Sequence, residues 1–109
     1  LLYCAAGGTP VEANPTLASE VAEQISASTD EESLLAVLVD MEDRLAATAT
    51  AAVEEAESSD VAALIGSIAP VISQQATVWA IFAHSEPAES MPAFHTTDGS
   101  FTVDEYPLG

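Results

Sequence analysis

The side chains able to do chemistry are few and far apart. Cys4 is the only thiol, His84 and His95 are the only imidazoles, and Arg44 is the only base. A zinc cage needs four nitrogen or sulfur ligands at short, regular spacing, and two distant histidines with one remote cysteine do not provide it. Cys4 stands between the greasy triplet LLY and the small residues AAGG. No positive charge lies nearby to lower its pKa, so it is a poor nucleophile. Carboxylates are plentiful, in the groups Asp40, Glu42, Asp43 and Glu54, Glu55, Glu57. Acid–base catalysis by such groups requires a water-poor cleft that pushes their pKa values apart. Here they alternate with apolar residues and read as the wet side of a helix. Neither a glycine-rich phosphate loop nor a nucleophile elbow is present. The expectation is a chain that is not an enzyme and takes no cofactor or metal.

What remains is a scaffold, and composition bounds it. The 109 residues suffice for one small domain. Apolar residues make up 49% but aromatics only 6%, because much of the apolar content is alanine, which favours helix and buries little area. Eighteen acids against one base give a net charge of −17. Nucleic acid and anionic lipid headgroups would both be repelled. The acidity fits a solvated surface, a saline medium or a face that meets a basic partner. No run of ~18 consecutive apolar residues occurs, so no complete transmembrane helix is expected.

Along the chain, residues 1–14 read as a tether, 15–85 as a helical domain and 86–109 as an extended, proline-containing arm. In the domain, Asn14 and Pro15 form a cap and a first helical position. Leu17, Val21 and Ile25 then share one face, predicting a short helix over 15–28. The run Thr29-Asp30-Glu31-Glu32 opens a second helix, over 30–57, with Leu34, Leu38, Met41, Leu45, Thr48 and Ala52 as its stripe. Ser58-Ser59-Asp60 caps a third, over 60–84. Its stripe is Val61, Leu64, Ile65, Ile68, Ile72, Gln75, Trp79 and Phe82, with Pro70 inside it. The fold class is therefore all-α, a small antiparallel bundle of three helices. In the arm, Asp98-Gly99 is either the turn of a small hairpin or part of a segment that wraps a neighbour.

Gln75 stands where an apolar residue would be expected, and a half-buried amide there suits an interface. Three helices bury less than a full bundle, so a groove is expected along the second and third, around Trp79 and Phe82. The candidate partner-binding residues are Gln75, Trp79, Phe82, Phe94 and Phe101. The arm or another subunit would cover that groove.

The run RLAATATAAVEEAESSDVAALIGSIAPVISQQATVWAIFA, residues 44–83, followed by MPAF at 91–94, resembles ferritin-like domains of bacterial secreted proteins. SIAPV, at 67–71, carries most of that likeness. The resemblance implies a helical bundle whose metal ligands would fall on Ala46, Ile72 and Gln75, with Val53 where the family has Tyr. None of these supplies a carboxylate or an imidazole, so it implies a degenerate bundle without metal. At the other end, LLYCAA resembles a bacterial lipobox, which implies a diacylglycerol on Cys4. Tyr3 departs from that motif, which has Gly or Ala there.

The function expected is a non-catalytic, extracytoplasmic accessory subunit of a larger membrane protein assembly, for which a respiratory complex is one candidate. A lipid anchor or an upstream segment would tether it to the membrane. Two alternatives stand beside it. One is a ferritin-like metal binder or oxidase using carboxylates such as Glu42, Glu54 and Glu55; the other is a soluble acidic domain of a halophile.

Overall fold

The computed structural model describes residues 12–83, 86 and 96–107. Cys4, His84, Phe94 and His95 lie outside the described residues. The chain is all-helical. Helix α1 spans Pro15–Ala27, α2 spans Glu31–Glu55 and α3 spans Ser59–Phe82, and no strand occurs among the described residues. Each helix starts where local chemistry satisfies its orphan N–H groups. Asn14 Oδ1 accepts from the N–H groups of Thr16 (3.0 Å) and Leu17 (3.1 Å), and Pro15 follows at N1, where its missing N–H costs nothing. Asp30 and Ser33 form a reciprocal capping box: Ser33 N–H donates to Asp30 Oδ1 at 2.8 Å and Asp30 N–H to Ser33 Oγ at 3.2 Å. These bonds hold the Asp30 carboxyl below its ordinary pKa. Ser58 caps α3.

The connection between α2 and α3 is short, so they pack side by side and antiparallel, whereas α1 meets α2 over a much smaller contact. The most buried helical residues are Ala46 and Ala47 on α2 with Ala76 and Ala80 on α3. Alanines let two helix axes approach closely, and α2 comes so near that Val53 is 3.9 Å from where a Cβ would sit on Gly66. The expected stripes are therefore displaced. Leu34 and Leu45 on α2, and Val61, Leu64, Gln75 and Phe82 on α3, are exposed. Ile65, Ile68 and Ile72 are half-buried, in keeping with their place on the stripe.

Helix α3 corrects the expectation that no membrane-length apolar helix is present. From 61 to 83 it carries no Asp, Glu, Lys or Arg, and by length and composition it suffices to cross a membrane. Gly66, Ser67, Ser73, Gln74, Gln75 and Thr77 interrupt a strict apolar run, but these mild polar residues leave the helix apolar on average.

The described part of the arm, residues 96–107, is irregular and folds back on the domain. Gly99, at φ +78°, allows the turn in which Ser100 N–H donates to Thr97 O at 3.2 Å. The Asp98-Gly99 turn is thus present, without strands to make a hairpin among the described residues. The segment lies against α1 and α2 rather than over the groove of α2 and α3.

Candidate functional site

The contacts that hold 96–107 in place converge on Arg44. Its guanidinium lies 4.2 Å from the Phe101 ring centroid and 5.4 Å from that of Tyr106, and the two rings meet edge to face at 5.3 Å. Arg44 Nε donates to Gly99 O at 3.0 Å and Nη1 to Tyr106 Oη at 3.2 Å. Tyr106 in turn donates to Glu20 Oε2 on α1 at 2.7 Å. Glu105 adds a long ion pair, 3.7 Å from Nη2, that is worth little at its exposure. Two further bonds flank this centre. Phe101 N–H donates to Thr48 Oγ1 at 2.8 Å, and Asn14 Nδ2 to Pro107 O at 2.9 Å. One cation thus ties α1, α2 and the arm together.

Burial works against the charge on Arg44, but the hydrogen bond to Tyr106 and the attraction of Tyr106, Glu105 and Asp40 outweigh it and raise its pKa. Tyr106 is raised as well, because its hydroxyl proton is held by Glu20, while Arg44 pulls the other way. The cluster spends its polar groups on itself and works as a clasp. Phe101, expected as a partner-binding residue, is one of its walls. The sequence held a signal for this that spacing does not capture: a lone base among eighteen acids must be surrounded by partners.

The opposite side of the molecule is different. Val61, Leu64, Val71, Val78, Ile81 and Phe82 of α3 are each between 45% and 61% exposed. At 100° per residue, Leu64, Val71, Val78 and Phe82 form one outer stripe directly away from the buried alanines. A shallow concavity of about 220 Å³ on this side is lined by Val71, Gln74, Gln75, Val78 and Trp79. Gln75 is exposed there, not half-buried as expected. Trp79 is half-buried, and its ring centroid is 6.5 Å from that of exposed Phe82. The structure thus brings together Gln75, Trp79 and Phe82 of the expected binding residues and separates Phe101 from them. Val71, Val78 and Ile81 were missed because the stripe was placed on one side of a helix that is apolar all round.

Carboxylates of α2 line two other concavities. Glu54 lines a groove of about 570 Å³ with Val53, Gly66, Pro70 and Gln74, whereas Glu32, Asp40 and Asp43 line another near Ala83. Among the described residues no group of three or more His, Cys, Asp and Glu is placed to hold a metal ion. Glu54 and Glu55 are exposed. Glu42 has one buried carboxylate oxygen, Oε2, without a hydrogen-bond partner among the described residues. Burial, and then the nearby charge of Asp43, raise its pKa. Of the positions that the ferritin-like likeness assigns to ligands, Ala46 is buried, Ile72 is half-buried and Gln75 is exposed; Val53, at the family's Tyr position, is half-buried.

No family model matches this chain, and neither does any curated protein or solved structure compared with it.

Proposed function

We propose that the chain is a non-catalytic helical subunit, held at a membrane on its extracytoplasmic side, that docks on a larger membrane protein assembly through α3. The observation that carries this reading is the outer stripe of α3: large apolar side chains, with no charged residue from Val61 to Phe82, left exposed among the described residues. Exposed apolar surface of this extent belongs at an interface with protein or lipid. The clasp at Arg44 supports a division of labour, since it stiffens the side that carries the acids and leaves α3 unobstructed. Cys4 would supply the tether through a lipid, and the likeness of 44–94 to ferritin-like domains would then record a bundle kept for its packing.

The reading is tested in the native cell. The chain should fractionate with membranes, and in mild detergent it should migrate in an assembly well above its own mass. Intact mass should show a lipid adduct beginning at Cys4. A chain recovered monomeric from the soluble fraction at physiological salt would overturn the proposal.

A further inference from the structure

The groove at the seam of α2 and α3 has a chemical bias of its own. It encloses about 570 Å³, the size of a small-molecule site, and its carbon surface comes from Val53, Ala69 and Pro70. The polar groups of its lining are almost all acceptors. The carboxylate of Glu54 only accepts. Thr50 and Ser73 have committed their hydroxyl protons to Ala46 O at 2.9 Å and Ala69 O at 3.1 Å, so each oxygen has lone pairs left and no donor. Pro70 has no N–H, so Gly66 O lacks the donor that the residue four places on would supply. Among the lining side chains only the Gln74 amide has N–H groups to give, and it can turn its oxygen inward instead.

We infer that this groove binds a small organic ammonium, a protonated primary amine on a compact apolar body. Its N–H groups are shared between the Glu54 carboxylate and the surplus acceptors, and its carbon surface lies against Val53, Ala69 and Pro70. Three donors on one charged atom match a carboxylate beside neutral acceptors, and bonds to charged groups are the stronger kind. This chain has no cation of its own to fill the place. Arg44, its only base, is engaged with Gly99, Phe101 and Tyr106, and Glu54 makes no hydrogen bond or ion pair among the described residues. The net charge of −17 enriches cations over the whole surface. What the groove adds is selection for a donor and for an apolar body. None of Leu64, Val78 and Phe82 lines it, so the inference stands apart from the docking of α3.

The test follows the backbone amide of Gly66 and the side-chain amide of Gln74 by NMR of the full chain. Four probes share one body: phenethylammonium, phenethyltrimethylammonium, phenethyl alcohol and hydrocinnamate. Phenethylammonium should shift both signals saturably, with the alcohol and the carboxylate at least about tenfold weaker. The trimethylammonium keeps the charge but has no N–H, and should be about threefold weaker or more. Glu54→Gln should weaken phenethylammonium about tenfold. Pro70→Ala returns an N–H to Gly66 O and should weaken phenethylammonium about threefold more than it weakens the alcohol. Glu23→Gln removes the same charge from an exposed position on α1 and should leave affinity within about twofold. Helical circular dichroism checks that each variant keeps its fold.

Equal losses in Glu54→Gln and Glu23→Gln would reduce the attraction to net charge and overturn the inference. Binding of the alcohol or of the trimethylammonium as tightly as phenethylammonium would overturn it too, since neither charge nor donors would then be selected. So would shifts that spread over the surface without saturating at Gly66 and Gln74. Membrane fractionation and migration in a native assembly test the docking reading separately, so failure of one reading is told apart from failure of the other.

Discussion

The two sides of the α2–α3 pair solve the problem of covering a helix in opposite ways. On one side a short irregular segment is held by directed contacts: the stacked guanidinium of Arg44, the Tyr106–Glu20 hydrogen bond, and the Thr48 and Asn14 bonds to backbone. On the other, α3 presents Val71, Val78, Ile81 and Phe82 with nothing from the described chain lying over them. Directed contacts close a surface to one geometry, because each bond must be satisfied at its own distance and angle. Apolar surface imposes no such requirement and accepts any complementary face. The difference separates a surface closed by directed bonds from an apolar surface that stays exposed among the described residues.

The largest effect expected of a test is at the clasp. Arg44→Ala removes two charge-assisted hydrogen bonds and a cation stacked on two rings, and should cost about 2–3 kcal/mol in urea unfolding. Proteolysis should then become rapid within 96–107. Arg44→Lys should recover little of this, because an ammonium lacks the planar fork that contacts Gly99 O and Tyr106 together. Unchanged stability in Arg44→Ala would show that the arm is held by its flanking bonds alone.

Tyr106 sharpens the same side through pH. Its pKa is raised above the ordinary 10.0, so the fold favours the protonated phenol. Its contribution is complete below 10.0 and is lost as pH climbs through the raised value. Tyr106→Phe should therefore be less stable than the parent at neutral pH and lack the alkaline loss, as followed by circular dichroism.

A smaller effect is expected at Gly99. No neighbour lies within 4 Å of a Cβ built there, so only the positive φ opposes a side chain. Gly99→Ala should cost about 1 kcal/mol, confined to protection of the 97–100 turn in hydrogen exchange.

Glu42 should give the smallest change, in the opposite direction. Its raised pKa means that the ionised carboxylate burdens the fold at neutral pH, and the burden lifts as pH falls through that value toward the ordinary 4.5. Glu42→Gln should gain under about 1 kcal/mol at pH 7 after solvent screening and nothing below pH 4.5. A loss on substitution would instead mean that the charge of Glu42 is used.

Much of the fold was legible because it rests on local chemistry. Asn14-Pro15, Asp30 with Ser33, and Ser58 terminate helices through bonds to residues two or three positions away, and such signals survive in a string of letters. The exposed apolar face of α3 was legible only in part. Trp79 and Phe82 were found by periodicity, but α3 is apolar around its circumference, and a pattern with no polar side does not say which direction is inward.

Sequence alone therefore determined three helices, their caps, an acidic surface and the presence of a single base. Tertiary structure decided which residues are inside. Close approach of α2 and α3 placed Ala46, Ala47, Ala76 and Ala80 at the contact and turned Leu64, Val71, Val78 and Phe82 outward. It also carried Phe101 across more than fifty residues of chain to Thr48 and Arg44. The physical reason is the same in both cases. Helix propensity and capping act within a turn of the chain, whereas burial and the pairing of a charge depend on what the rest of the chain brings to that place.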